Sequence, residues 1–216
     1  MRSIRRRLPP AMSLPAWGAK YGPQQTLELQ PGVGGLDTNL REANADSNYH
    51  TSATNYVGYY TGLTTFRTVI KFDLSVIASG SYINSATFQM TMTGDFSSSA
   101  TNMQLFRLLR NWVVDQATWN SYSTGNAWQT AGGFGALDAE QTPVATRAFS
   151  ATEANGDKTW TVDTDSVKEW VDGDASNYGW LIKTSVETND GYGFKSNDDG
   201  TAAGRPKLTI VYQAPV

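Results

Sequence analysis

The chain contains no cysteine, which rules out a disulfide framework and any thiolate metal site. Histidine is nearly absent too, with His50 alone. Asp46 and Ser47 beside it raise the idea of a nucleophile–base–acid triad. A triad needs fixed geometry and an oxyanion site, and no nucleophile elbow occurs in the sequence. His50 therefore reads as a loop residue. No apolar run reaches the roughly 18 residues of a membrane span, so no membrane partner is expected. The N-terminus lacks the form of a secretion signal as well. Its arginines are followed by LPPAMSLPAWGAKYG, where proline, glycine and lysine interrupt any hydrophobic segment. No export signal of either the general or the twin-arginine kind is expected. Charge is scarce, at 17% of residues.

What is abundant is threonine, serine, glycine and aromatic residues, the composition of an antiparallel β protein that lives outside a cell or on a particle. At 216 residues the chain is long enough for a core without staples. The net charge of −3 is unevenly placed. Arg2, Arg5, Arg6 and Arg7 are four of 17 basic residues, and without them 13 basic residues face 20 acidic ones, a net of −7. An acidic body thus follows a basic arm, residues 1–24, punctuated by Pro9, Pro10, Pro15 and Pro23. Residues 25–216 are expected to form one domain.

Strand patterns fall at 26–30, 37–43, 53–60, 64–74, 83–93, 102–109, 145–150, 158–162, 179–187, 192–196 and 207–213. The clearest stretch is 67–92. Phe66, Thr68, Ile70, Phe72 and Leu74 share one face of a strand, with Arg67, Val69, Lys71 and Asp73 on the other. Ala86, Phe88, Met90 and Met92 share one face of the next. The period of two predicts one dry and one wet face, and the short polar link predicts a hairpin. Asn155-Gly156 predicts a second hairpin. One helix is expected at 164–172, capped by Asp163 or Thr164 and ended by Gly173. The segment 111–141 is irregular and rich in Trp and Gly, and is expected to wrap one end of the fold. Alternating strands need an apolar partner, so the expected class is all-β: a two-sheet antiparallel β-sandwich, jelly-roll-like, with one short helix and an extended N-terminal arm.

Eight fragments in order resemble the DNRLRE domain family, a jelly-roll-like β-sandwich related to the disaggregatase repeats and to some carbohydrate-binding modules. They are DTNLREANADSNY (37–49), YVGYY (56–60), RTVIKFDLS (67–75), INSATFQM (83–90), NWVVDQATWN (111–120), VKEWVDGDASNYGWLIK (167–183), FKSND (194–198) and RPKLTIVY (205–212). The resemblance implies a non-catalytic accessory or adhesive module, in some members glycan-binding.

Carboxylates are scattered singly or in loops, at Asp37, Glu42, Asp46, Asp73, Asp172, Asp174, Asp198 and Asp199. Nothing selects the opposed pair that glycoside hydrolysis requires, so no catalytic residue is assigned. A structural Ca²⁺ is a candidate, with oxygens from Asp37, Asp46, Asn48 and the 197–199 loop. Arg2, Arg5, Arg6, Arg7 and Trp17 are assigned to docking on a partner protein. Four arginines without interleaved aromatics make no sequence-specific nucleic-acid reader. Trp128, Tyr59, Tyr60 and Tyr122 are candidates for contact with a glycan or another subunit, where Trp and Tyr are enriched. Trp112, Trp119, Trp160, Trp170 and Trp180 are expected in the core. The expected setting is a bacteriophage virion surface, as head decoration, fibre or tail component, in a homo-oligomer that contacts capsid or tail proteins. The alternative is an extracellular carbohydrate-binding module that recognises a polysaccharide or cell-surface glycan.

Overall fold

The computed structural model describes residues 20–32, 36–60, 62 and 64–216. The strands are β1 (Tyr21–Leu29), β2 (Leu36–Arg41), β3 (Thr54–Tyr59), β4 (Thr65–Lys71), β5 (Tyr82–Asp95), β6 (Thr101–Arg107), β7 (Ser121–Ser123), β8 (Asn126–Ala127), β9 (Ala145–Phe149), β10 (Gly156–Val162), β11 (Trp180–Thr184), β12 (Tyr192–Lys195) and β13 (Lys207–Pro215). The helix α1 is Thr164–Asp172. Asp163 caps it, its carboxylate accepting the Ser166 N–H at 3.0 Å, and Gly173 ends it at φ 80°. Val167 and Trp170 turn its buried side inward.

All pairings are antiparallel. One layer carries β1-β13-β5-β10, with β12 beside the far end of β5. The other carries β2-β4-β11-β6-β9. The fold is an all-β sandwich whose layers are joined by β3. Residues 54–57 of β3 pair with β12, and Gly58 and Tyr59 pair with β4. The change of sheet happens at Gly58, whose φ is +98° and where a Cβ would lie 2.0 Å from the Asp190 carbonyl oxygen. Only glycine permits that corner. β1 starts at Tyr21, inside the segment expected to be arm, and Pro23 sits at a register shift between Tyr21 and Gln24 on this edge strand.

Both predicted hairpins are corrected. β4 pairs with β2, β3 and β11, while β5 pairs with β10, β12 and β13. The two strands face each other across the core, with the Phe72 and Phe88 rings 6.0 Å apart. Their connection, residues 72–81, carries the chain from one layer to the other and buries Leu74 and Ile77 on the way. Likewise β9 pairs with β6 and β10 with β5, so Asn155-Gly156 ends a crossing between layers.

The main core lies between the layers, around Phe88, Phe149, Trp160, Trp180 and Phe194. A second apolar cluster lies on the outer face of the second layer: Leu40, Val69, Phe106, Leu108 and Leu181, covered by Trp112, Trp119 and Trp128. The irregular segment therefore covers a sheet face, which corrects its expected place at one end. It also corrects the wet face predicted for β4, since Val69 is fully buried. Asp138 ties this cover down. Its carboxylate is fully buried and accepts the N–H groups of Gln129, Thr130 and Gly135 at 2.8, 2.9 and 3.2 Å. Apolar packing on both sides of one sheet gives strands that are apolar on both faces.

Candidate functional site

The docking residues Arg2, Arg5, Arg6, Arg7 and Trp17 lie outside the described residues. Trp128 is 4% exposed, and its indole N–H donates to the Thr118 carbonyl at 2.9 Å. It is a core residue of the cover, which corrects its assignment as a free contact. Tyr122 packs against it at a tilt, with centroids 5.5 Å apart, and lies under Arg110. Both belong to the covering segment because the apolar outer face of the sheet needs that cover. Tyr59 is half-buried, with its N–H on the Asp190 carboxylate at 3.1 Å.

Tyr60 belongs to a larger arrangement. Its ring contacts Tyr56 at 5.4 Å, Phe66 at 5.1 Å and Phe96 at 4.8 Å. Burial first, then the neighbouring Tyr56, push its hydroxyl pKa far up, so it stays protonated. Beside this group the Arg41 guanidinium lies 3.6 Å from the Tyr49 centroid and 5.4 Å from Tyr56. Its Nε donates to Asn39 Oδ1 at 3.1 Å, and the Asn39 amide in turn donates to the Tyr56 and Arg67 carbonyls. Burial lowers the Arg41 pKa, against the pull of the tyrosines, and a guanidinium remains charged through that shift. Phe96 is 54% exposed. The result is a surface of half-buried rings around one fixed cation, held by side chain to backbone bonds. Its members come from β2, β3, β4, the 42–53 loop and the residues that follow β3 and β5. Arg41, Tyr49, Tyr56 and Phe96 were not singled out by sequence reasoning, because residues this far apart along the chain carry no shared pattern. The one signal was the ring density of YVGYY.

Below this surface lies a buried polar group. Asp37 is 1% exposed and points between the layers from β2. Its Oδ2 accepts the Asn55 amide N–H and the Asn197 backbone N–H, each at 2.9 Å. Burial, with the nearby Asp198 charge, pushes its pKa up to about 7, against the lowering effect of those two donors. The loop that carries Asn197 is fastened to the residues just before β3, with Ser196 Oγ donating to the Ser52 carbonyl and Ser196 N–H to that of Ala53. Of the oxygens expected to gather for Ca²⁺, the structure unites Asp37 with the 197–198 residues and adds Asn55. It places the other two elsewhere. Asp46 accepts from Asn120, and Asn48 donates to the Val114 and Ala117 carbonyls. Both hold the covering segment. His50 Nδ1 lies 2.6 Å from Asn48 Oδ1. Other loop carboxylates brace turns: Glu42 accepts from Thr64 and Thr65, Asp73 from Ser75, and Asp172 from Gly80.

The ring surface and the root of the arm stand at opposite ends of β5. At one end Tyr82 contacts Tyr21, the start of β1, with centroids 5.7 Å apart. At the other, Asp95 leads into Phe96. Thirteen steps at the rise of a strand separate them by about 40 Å. A family model described as "Disaggregatase related repeat domain" matches residues 37–210, about four fifths of the chain. No curated protein matches the chain.

Proposed function

The chain belongs to the disaggregatase-related repeat family, and from that premise we propose that it is a non-catalytic structural and adhesive domain held on a larger assembly by its N-terminal arm. The observation that carries this is the two-ended layout. The basic segment joins the body at Tyr21, and the Arg41–tyrosine surface sits at the far end of β5. A tethered domain presents its far end outward. The finer family reading is a DNRLRE-type domain, supported by DTNLRE at 37–42, which forms β2 and the turn after it.

The setting that fits an acidic β body behind a basic arm is a bacteriophage virion, as head decoration, fibre or tail component. The partners are capsid or tail proteins and further copies of the chain, since such assemblies are built on symmetry. The test is sedimentation of the full chain with purified particles, beside a chain lacking residues 2–17. The full chain travels with the particles and the shortened one, still folded by circular dichroism, does not. Co-sedimentation of the shortened chain overturns the tether.

A second reading is favoured by the ring surface itself. Tyr49 and Tyr56 on Arg41, with the exposed Phe96 ring beside Tyr60, suit an extracellular carbohydrate-binding module, where sugar faces stack on rings and a cation meets an acidic or hydroxyl-rich glycan. A glycan array separates the two, because binding lost in Arg41→Ala and kept without residues 2–17 selects the module.

A further inference from the structure

We infer that Asp37, Asn55, Asn197 and Asp198 form a binding site for one Ca²⁺ between the two layers. A sandwich interior is filled by apolar side chains, and Val57, next but one to Asn55 on β3, obeys that rule. At this end of the interior the rule is broken by Asp37 on β2, Asn55 on β3 and Asn197 after β12, each at most 1% exposed. None of the ion pairs among the described residues includes Asp37. A charge that acts on it is another carboxylate, Asp198. A buried carboxylate beside a second one is costly unless a cation or a proton neutralises it.

The amides supply the independent sign. Asn55 gives its N–H to Asp37, so its Oδ1 lies in the same small space, and that oxygen is buried without a hydrogen-bond partner. Both side-chain atoms of Asn197 are also buried and unpartnered, although its backbone N–H is fastened to Asp37. Buried polar atoms are almost always satisfied, so two open amides, on residues whose N–H groups meet the same carboxylate, offer their oxygens to a bound cation. No three of His, Cys, Asp or Glu are grouped to hold a metal among the described residues, which makes a transition-metal cage a poor match. Two carboxylates and two amide oxygens are hard donors and suit Ca²⁺, which accepts 6–8 oxygens in irregular geometry with water completing the shell. Mg²⁺ demands a stricter octahedron and keeps more of its water. The ion would join β2, β3 and the 196–199 loop, the elements beneath Arg41 and Tyr56.

The test uses the full chain after chelator treatment, by calorimetry with Ca²⁺ or Mg²⁺ and by thermal unfolding. One Ca²⁺ per chain is expected, with a Tm rise of about 5–10 °C at a hundredfold excess over Kd and a smaller response to Mg²⁺. Asp37→Asn removes the buried charge, so it is expected to match or exceed the metal-free wild type in Tm and to lose the Ca²⁺ shift. Asp198→Asn, at a half-exposed site, loses the shift as well, and decides alone if Asp37→Asn does not fold. No heat and no Tm change at millimolar Ca²⁺ overturns the site and leaves a buried water as the bridging species. A full Ca²⁺ shift retained in the variants also overturns it and moves the ion elsewhere.

Discussion

Replacing Asp138 by alanine is expected to strip the outer cover from the second layer without dissolving the main core. The carboxylate serves three backbone N–H groups, those of Gln129, Thr130 and Gly135, and lies 3.5 Å from the Arg110 Nε. A buried N–H left without an acceptor costs about 1–3 kcal/mol. Gly135 is buried and bears the full cost, whereas Gln129 and Thr130 lie on exposed residues that water partly rescues. The expected loss is therefore about 3–5 kcal/mol, from one full and two reduced penalties of that size. At a urea slope of roughly 2–3 kcal/mol/M the midpoint falls by about 1–2.5 M. Asp138→Asn keeps one oxygen and turns an N–H toward a donor, so it should lie between alanine and wild type. Urea unfolding followed by tryptophan fluorescence measures the loss. Dye binding reports exposure of Val69, Phe106 and Leu181, and far-ultraviolet dichroism should stay close to wild type. An alanine variant within about 0.5 kcal/mol of wild type, the range of an ordinary surface substitution, refutes the view that this carboxylate fixes the cover.

Three further outcomes are expected. Trp128→Ala should cost about 3–5 kcal/mol in urea unfolding, while Tyr122→Ala costs less, because Trp128 is the buried member of the pair; equal small losses would return Trp128 to the surface. Gly58→Ala should fail to fold or lose more than about 3 kcal/mol, the sum of a strained left-handed φ and a clash at the sheet corner, and soluble yield with thermal unfolding measures it. Glu153 supplies a pH dependence. Burial tends to raise its pKa, but the bonds from Lys158, Arg147 and Ser150 outweigh that and hold it at about 2, below its ordinary 4.5. A lowered folded pKa means stability that is present above pH 4.5 and is lost as pH falls toward 2. After allowance for partial exposure the contribution is about 1–2 kcal/mol. Glu153→Gln should flatten the stability profile over that window, and an unchanged slope would count against the triad of Glu153, Lys158 and Arg147.

The Arg41 surface and the Asp37 group show where sequence reading stopped. The eleven strand patterns all appear as strands, and α1 lies at the expected residues with the expected caps. These features depend on local chemistry: alternation, a capping carboxylate, a glycine free to take positive φ. The buried faces were legible for the same reason, as with Phe88, Met90 and Met92. Asp37 and the 197–199 loop are legible as oxygen donors because carboxylates and oxygen-rich loops are visible in a sequence, whereas Asn55 is hidden inside a strand pattern. Asp46 and Asn48 were misplaced since nothing local says which backbone an amide will reach.

The element types, the main apolar faces and the kinship with the disaggregatase repeats were legible in the sequence, because each is written in the spacing of neighbouring residues or in the order of fragments. The partners of those elements were decided only by the tertiary structure. β4 and β5 read as a hairpin, yet they face each other across the core, since a dry face can be covered from opposite as well as continued alongside. Val69 and Leu181 became core only when the 111–141 segment folded over them. The surface around Arg41 exists only because Gly58 turns β3 from one layer into the other and brings Tyr56 and Tyr60 to Phe66 and Phe96. Packing area and steric fit over residues far apart in the chain set those contacts, and a pattern of period two contains no record of them.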